Sequence, residues 1–567
     1  MTFTDKLLDV SITLKCLLTL ILCSTLLISA ISQSSQPLHA TQWQVVELEF
    51  QTQDAIADAI HRIDFLVTFT GPKGNKYIRR GFWDGPRQWK VRFQPDTTGA
   101  WSYLTEVVGE VQPKELHGIE SQIDVVAYEG DNPLFKHGKL EVSANGRYFQ
   151  HADGTPFFWI GDTNWSGPHK ATLGDWATYL TTRKEQGFNI IQVMMTNSLA
   201  FAANADGRQA YVGSDHIQID PHFFQFLDKR LEMINQHGLV VAGALIWSAT
   251  WNQIAAHLNP GQALTENEII LLARYLMARY EAYHTVCFLG GDENYSGQKA
   301  ERWKRIGREV FDIYPESLVS MHPTGKTWVG TEFEEEKWFK FHAYQSGHWT
   351  DDASTQWIQN GPPAEAWQQL SSRPVLNVEP GYEGHVRLNT DQRWTDDDVR
   401  SRLYWSLLVS PTAGVTYGGH GVWSWETTRA LPVNHTHALE AQPWSEAIHL
   451  PGANQIRHLK KIFTSFKWWT LLPQPNLIEQ PTDSASTFIA VSQSPEVGVV
   501  AYSPKTQPIR VRLSEQMSDN GVWWNPRTGE NTEATAVKDA SNKNHFVFTP
   551  PPENEGDWLL HINKTNE

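Results

Sequence analysis

Cysteine is nearly absent. The 567 residues hold three, and Cys16 and Cys23 lie in an apolar leader, so Cys287 alone remains beyond it and no intramolecular disulfide can staple the mature chain. Charge is scarce too, at 19%. Its sign is skewed: 47 Lys and Arg against 63 Asp and Glu give −16, a field that repels phosphates and excludes wholesale binding to nucleic acid or anionic membranes. There is no low-complexity tract and no repeat at solenoid spacing. No His-Glu-x-x-His occurs, which removes a zinc peptidase. With 40% hydrophobic residues, 39 Gly and 30 Pro, the chain is neither disordered nor collagen-like nor a coiled coil. What it has in quantity is aromatic, with 25 Trp, 16 Tyr and 25 Phe. Such flat faces stack on sugars and on bases, and the acidity favours sugars.

The leader runs from Cys16 to Ser32 behind Lys15. Its length is that of a signal-peptide core and short for a membrane span, so residues 1–35 read as an export signal, with an uncleaved anchor as the alternative. Cutting after Ser32 leaves small residues at both recognition positions, whereas Ala40 has Leu38 two residues before it. Export without disulfides points to a bacterial protein, secreted or periplasmic, that meets a membrane only if the leader stays.

The remaining length suggests roughly three or four domains. Over 41–130, short alternating runs such as Val45–Phe50, Ile63–Phe69 and Trp89–Phe93, broken by Gly and Pro turns, predict a β-sandwich whose aromatics form its core. Over 140–465 the style changes to capped helices that end at Gly and lead into apolar strands. Thr172 with Asp175, Asp220-Pro221, and Thr265 with Glu268 open three such helices, and Gly187 and Gly238 close two of them. Eight strand candidates follow, starting at Phe157, Phe188, Leu239, Thr285, Leu318, Phe339, Val375 and Gly414. They fit a parallel (β/α)8 TIM barrel. Alternation returns over 466–567 and predicts a second β-sandwich.

Barrel enzymes carry their reacting groups where strands end at the carboxyl face. The residues there are Asp162 and Trp165, Asn197, Trp247, Asp292 with Glu293, His322, Tyr344, Glu379 with Glu383, and Tyr417 with His420 and Trp423. Breaking a glycosidic bond needs one carboxylic acid to protonate the leaving oxygen and one carboxylate to attack or to activate water. The fourth and seventh strands supply such a pair in Asp292 and Glu379, with Glu293 and Glu383 as rivals. The others would line sugar subsites, while His322 and His420 could equally brace loops. No metal or organic cofactor is required for this chemistry.

The stretches Phe158-Trp-Ile-Gly-Asp162-Thr-Asn-Trp165, Leu289-Gly-Gly-Asp292, Val375-Leu-Asn-Val-Glu379-Pro-Gly-Tyr-Glu383 and Thr416-Tyr-Gly-Gly-His420-Gly-Val-Trp423 together resemble the apiosidase-like glycoside hydrolases of the family 140 type. The tail from Trp523-Trp-Asn-Pro to Asp557-Trp558 resembles that family's C-terminal domain, labelled collagen-binding. The resemblance implies Asp292 as general acid/base and Glu379 as the second carboxylate and nucleophile. It also implies a branched plant or algal polysaccharide as substrate, release of apiose from pectic side chains being the best-known activity. Glu293-Asn294 after Asp292 departs from the expected non-acidic neighbour. A non-catalytic glycan- or matrix-binding protein on a barrel scaffold is the alternative, although a pure binder has no use for paired acids.

Other motifs have plainer readings. Asp396-Asp-Asp398 opens a helix beginning near Val399, where acids suit the positive end of the dipole. His435-Thr-His437 offers two metal ligands and no third, so it reads as a solvated loop. Trp468-Trp469 and Trp523-Trp524 read as core. Asn164, Asn294, Asn434 and Asn563 match the glycosylation pattern by chance.

Overall fold

The computed structural model describes residues 30–31, 38–251, 255–480, 484–514, 517–538, 544–552 and 555–564. Apart from two residues, the leader lies outside them. Among the described residues no helix is long and apolar enough to cross a membrane.

The eight expected barrel strands form and run parallel: β1 Trp159–Thr163, β2 Ile190–Met194, β3 Val240–Trp247, β4 Thr285–Glu293, β5 Val319–Pro323, β6 His342–Gln345, β7 Val375–Glu379 and β8 Gly414–Gly418. Their order is β5-β4-β3-β2-β1-β8-β7-β6. The ends meet where the Lys340 amide donates to Val319 O at 2.8 Å. Most of these strands are buried at every residue, as helices outside and side chains inside require. The helices start and stop where local chemistry dictates. Thr172 caps Leu173–Glu185 by accepting from the Asp175 amide at 3.1 Å, and Gly187 and Gly238, at φ +99° and +77°, make the exits only glycine adopts readily. Thr265 stands at the N-cap of Glu266–Tyr280 but makes no side-chain cap, and the Glu268 carboxylate is turned towards His61 and the Ile217 amide. The helix expected near Val399 begins three residues earlier, at Asp396, where Thr395 and Asp398 form a capping box. Beneath the barrel, Phe149 packs on Trp159 and Phe341 and closes the amino end.

Residues 38–126 form the expected sandwich. One sheet orders Leu38–Thr41, Glu120–Val126, Gly99–Gly109, Ile63–Thr70 and Lys76–Arg80. The other carries Val46–Gln51, Gln88–Phe93 and Phe82–Trp83. Phe50, Phe65, Phe69, Trp89, Phe93 and Trp101 fill the space between, so the aromatics are core. Arg92 ties the sandwich to the barrel: it bonds Glu47 at 2.8 Å and Asp228 at 2.7 Å, and Asp228 in turn holds Arg279, which reaches Asp84. At the other end, Leu472–Lys564 wraps eight strands into an all-antiparallel half-barrel. Trp523 lies in its core, and Trp468 is buried at its junction with the barrel.

Candidate active site

A cavity of about 260 Å³ opens at the carboxyl end of the barrel, and Asp292 and Glu379 both line it. Each stands at a break in the ladder. Gly291 pairs with His322 and Glu293 with Pro323, so Asp292 is the extra residue of a bulge. It sits at φ +58°, a strained state that Asp tolerates better than most residues and that clusters at functional sites. On β7, Asn377 pairs with Tyr344 but Glu379 with Gln345, so Val378 is the extra residue. The bulges turn both carboxylates inward.

Their partners differ. Asp292 is partly exposed to the cavity. Its Oδ1 accepts from Gln345 Nε2 at 3.0 Å and its Oδ2 from the Trp251 indole at 2.5 Å. Burial and the neighbouring Glu379 charge push its carboxyl up to about 6. Burial alone would raise Glu379 as well. Instead it is held below the ordinary glutamate range by His348, whose Nε2 lies 2.8 Å from Oε1, with His322 and the Tyr382 hydroxyl adding to the effect. The two groups share one cavity and are shifted in opposite directions.

The walls are aromatic: Trp165, Trp247, Trp251, Trp349, Tyr382 and Trp423. Small residues make room for them. A Cβ on Gly291 would lie 2.1 Å from the Trp247 ring, and one on Gly418 2.1 Å from Tyr382. The Trp165 indole donates to Tyr382 Oη at 3.0 Å, fixing the ring that reaches Glu379.

Of the residues expected from sequence, Asp292, Glu379, Trp165, Trp247 and Trp423 meet in this cavity. The others do not line it. Glu293, the rival acid, is buried under Ser248, Trp303 and Lys299 at 2.7, 3.1 and 2.8 Å. It is a structural anchor, held away from the cavity by these three partners. Glu383, the rival of Glu379, accepts from Tyr417 Oη at 2.7 Å and from the Gly452 amide at 2.9 Å, joining β8 to the helix Pro451–Thr464. Burial pushes it up to about 7. Asp162 is fully buried against Arg183 and Tyr179, at 2.7 and 2.5 Å. Asn197 accepts from the Ala210 amide and shapes its loop. Tyr344 points outward onto Trp357, and Gln345 takes the inward place expected of it. His420 accepts from Trp423 Nε1 at 3.1 Å and bonds Leu439 O at 2.7 Å, so it braces that wall. His322 lies beneath the floor, packed on Trp165, Trp247 and Phe288, with Nε2 3.5 Å from Glu379.

Several lining residues escaped the sequence reading. Gln345, His348, Tyr382 and His385 line the cavity, as do His435 and His437. The last two therefore belong to a wall rather than to a solvated loop, and they pack on Trp251. Strand alternation after Tyr344 was the available signal for Gln345; Tyr382 lay inside the Glu379–Glu383 motif. Asn164 is fully buried and accepts from the Gly167 amide, so it cannot carry a glycan.

A parallel eight-stranded barrel with an indole-walled cavity and carboxylates at its carboxyl end has the architecture of a glycoside hydrolase. The family described as "Apiosidase-like, catalytic domain" matches residues 143–470, a domain of unknown function (DUF5060) matches 39–108, and a candidate collagen-binding domain of a collagenase matches 472–563. The chain belongs to the apiosidase-like glycosidases. Similar solved structures share the fold. A glycoside hydrolase is 22% identical, with 77% of this chain and 99% of that one covered at a TM-score of 0.66. A glycoside hydrolase family 5 protein from Bacteroides vulgatus ATCC 8482 is also 22% identical over 78% and 95%, again at 0.66. A candidate glycoside hydrolase from the same bacterium, 17% identical, covers 93% of this chain and 100% of its own at 0.66. No curated protein matches the chain.

Proposed function

We propose that this glycosidase is an exported enzyme that removes sugars from the side chains of a plant or algal polysaccharide by a retaining mechanism, with Asp292 as acid/base and Glu379 as nucleophile. The observation that carries the reading is the opposed shift of two carboxyls lining one cavity. Environments that drive a pair of carboxyl acidities apart assign the acid and the anion.

Glu379 attacks the anomeric carbon, and its C–O bond forms as the glycosidic bond breaks. The leaving oxygen takes the Asp292 proton. Water then gives a proton back to Asp292 and attacks the same carbon, releasing Glu379 and the sugar with its configuration kept. His348 and Tyr382 hold Glu379 ionised and aimed, while Trp165, Trp247 and Trp423 offer faces for the ring. Export rests on the leader, and the substrate class on the family and the aromatic walls.

The test is sugar release by residues 41–567 from pectic, hemicellulosic and algal glycans, including apiosylated side chains, beside the Asp292→Asn/Glu379→Gln double variant. Release by the wild type alone supports the reading. Binding without release by either protein would replace it with an adhesive role, and inversion in the first product seen by NMR would remove the nucleophile.

A further inference from the structure

Outside the cavity lining, Asp58 and His61 of the sandwich meet His216, from the loop after β2, and Glu268, from the helix Glu266–Tyr280. Asp58 stands at φ +55° at the head of the turn Ala59–Arg62, yet its carboxylate does not cap that turn. Its Oδ1 lies 2.8 Å from His61 Nδ1 and 2.9 Å from His216 Nε2. Among the described residues these three form the one group of His, Cys, Asp or Glu side chains whose ligand atoms all lie within 4.8 Å of one another. The other nitrogen of His61 faces Glu268 Oε2 at 3.2 Å, and the same oxygen accepts from the Ile217 amide at 2.9 Å. This is where Glu268 goes instead of capping its own helix.

Proton bookkeeping makes the arrangement informative. His61 presents a nitrogen to a carboxylate on each side, but a neutral imidazole has only one N–H. Unless the ring takes a second proton, one contact sets a lone pair against an anionic oxygen. A metal on Nδ1 removes the conflict: Nδ1 and the Asp58 oxygen become ligands, and Nε2–H points at Glu268. A carboxylate in that position fixes the tautomer and orientation of metal-bound histidines. His216 stacks on His61 at 3.8 Å and 14°, which brings a second imidazole nitrogen to the same Asp58 oxygen.

We propose that Asp58, His61 and His216 form a zinc-class divalent metal site, oriented by Glu268, that fastens the N-terminal sandwich to the barrel. Two imidazole nitrogens and one carboxylate suit zinc and its neighbours, whereas calcium and magnesium require oxygen ligands. The Asp58 and His216 side chains are 37% and 58% exposed, which leaves positions for water. It also leaves His216 free to turn so that the stacked rings fan open and their lone pairs converge. Leu199 and Ala200, earlier in the His216 loop, line the catalytic cavity, so a metal here would also steady one of its walls.

The test uses the full chain after chelator treatment, titrated with zinc by calorimetry and followed by thermal melting. Wild type is expected to take up one equivalent at this site and to melt several degrees higher with zinc, but not with magnesium or calcium. His216→Ala should lose that equivalent and the gain while its metal-free melting temperature stays close to wild type, because the side chain is exposed. Zinc uptake unchanged in His216→Ala would place the metal elsewhere, for instance on the cavity histidines, and overturn the proposal. So would no uptake by the wild type, which would leave protons as the bridges of this cluster.

Discussion

Asp292 and Glu379 are both carboxyls with restricted access to water, and their contacts alone separate them. The proposed mechanism requires Asp292 protonated and Glu379 ionised. The kcat/KM profile should therefore rise as pH climbs through the lowered Glu379 value and fall as it passes about 6, where Asp292 loses its proton. Trp251 and Gln345 donate to the Asp292 carboxylate and so favour its charged form. Trp251→Phe and Gln345→Ala are expected to move the alkaline limb to higher pH, which a pH–rate profile reads directly. Stability should respond to the same titration. Because the folded value lies above the ordinary 3.8, the native state is penalised as pH rises from about 3.8 to 6 and carries the full penalty above that. Asp292→Asn should thus stabilise the protein by about 2–3 kcal/mol at pH 7–8 and by little at pH 3–4, measured by denaturant melts at both pH values.

At the scale of elements, the site is made by bulges and by missing side chains. Gly418 lets the Tyr382 ring lie across the barrel mouth to reach Glu379. In Gly418→Ala the new methyl meets that ring in a strand that cannot move aside. The expected result is about 1–3 kcal/mol of lost stability, as overpacking commonly costs, together with a fall in kcat of about tenfold or more, since Tyr382 no longer aims the carboxylate. Thermal melts and steady-state kinetics on one variant check both. These features were not legible in the sequence, although the strands were. Apolar runs preceded by capped helices and glycine exits announce β2 and β3, and every strand end that carries a carboxylate could be read off. A bulge depends on the register with a neighbouring strand, so nothing local marked Asp292 as the inward residue over Glu293. The strand end before Pro380 did favour Glu379 over Glu383, but nothing local showed that Glu383 is drawn off by Tyr417 and the Gly452 amide. His348, Trp349 and His435 reach the cavity on loops whose path is set by packing. The two-histidine motif looked solvated because its wall partner, Trp251, comes from about 180 residues earlier in the chain.

Across the whole molecule, the barrel is joined to both flanking domains through buried charge and shared core. Asp557 of the C-terminal half-barrel accepts from Arg400 at 2.7 Å, Arg527 at 2.7 Å and Tyr502 at 2.9 Å. Tyr404 and Trp405 on the barrel helix Asp396–Leu408 pack into one cluster with Val500, Tyr502 and Leu559. Asp557→Ala leaves Arg527 without its carboxylate and takes from Arg400 the buried one, Asp396 and Asp397 remaining, and is expected to cost about 1.5–3 kcal/mol. A double variant that also removes Arg400 should recover part of that loss. Calorimetry of the wild type should show the half-barrel unfolding together with the barrel in one endotherm, because neither can leave without exposing the shared core.

The central claim is the division of labour between Asp292 and Glu379, and leaving-group dependence tests it most directly. Once the released sugar is known, kcat/KM is compared on its natural linkage and on an aryl glycoside whose phenol leaves without help from an acid. Asp292→Asn should lose about 10²–10⁴-fold on the natural linkage and far less on the aryl glycoside. Glu379→Gln should lose activity on both, and Glu383→Gln should stay near wild type. Equal losses for Asp292→Asn on the two substrates, or near-wild-type turnover by Glu379→Gln, would contradict the account.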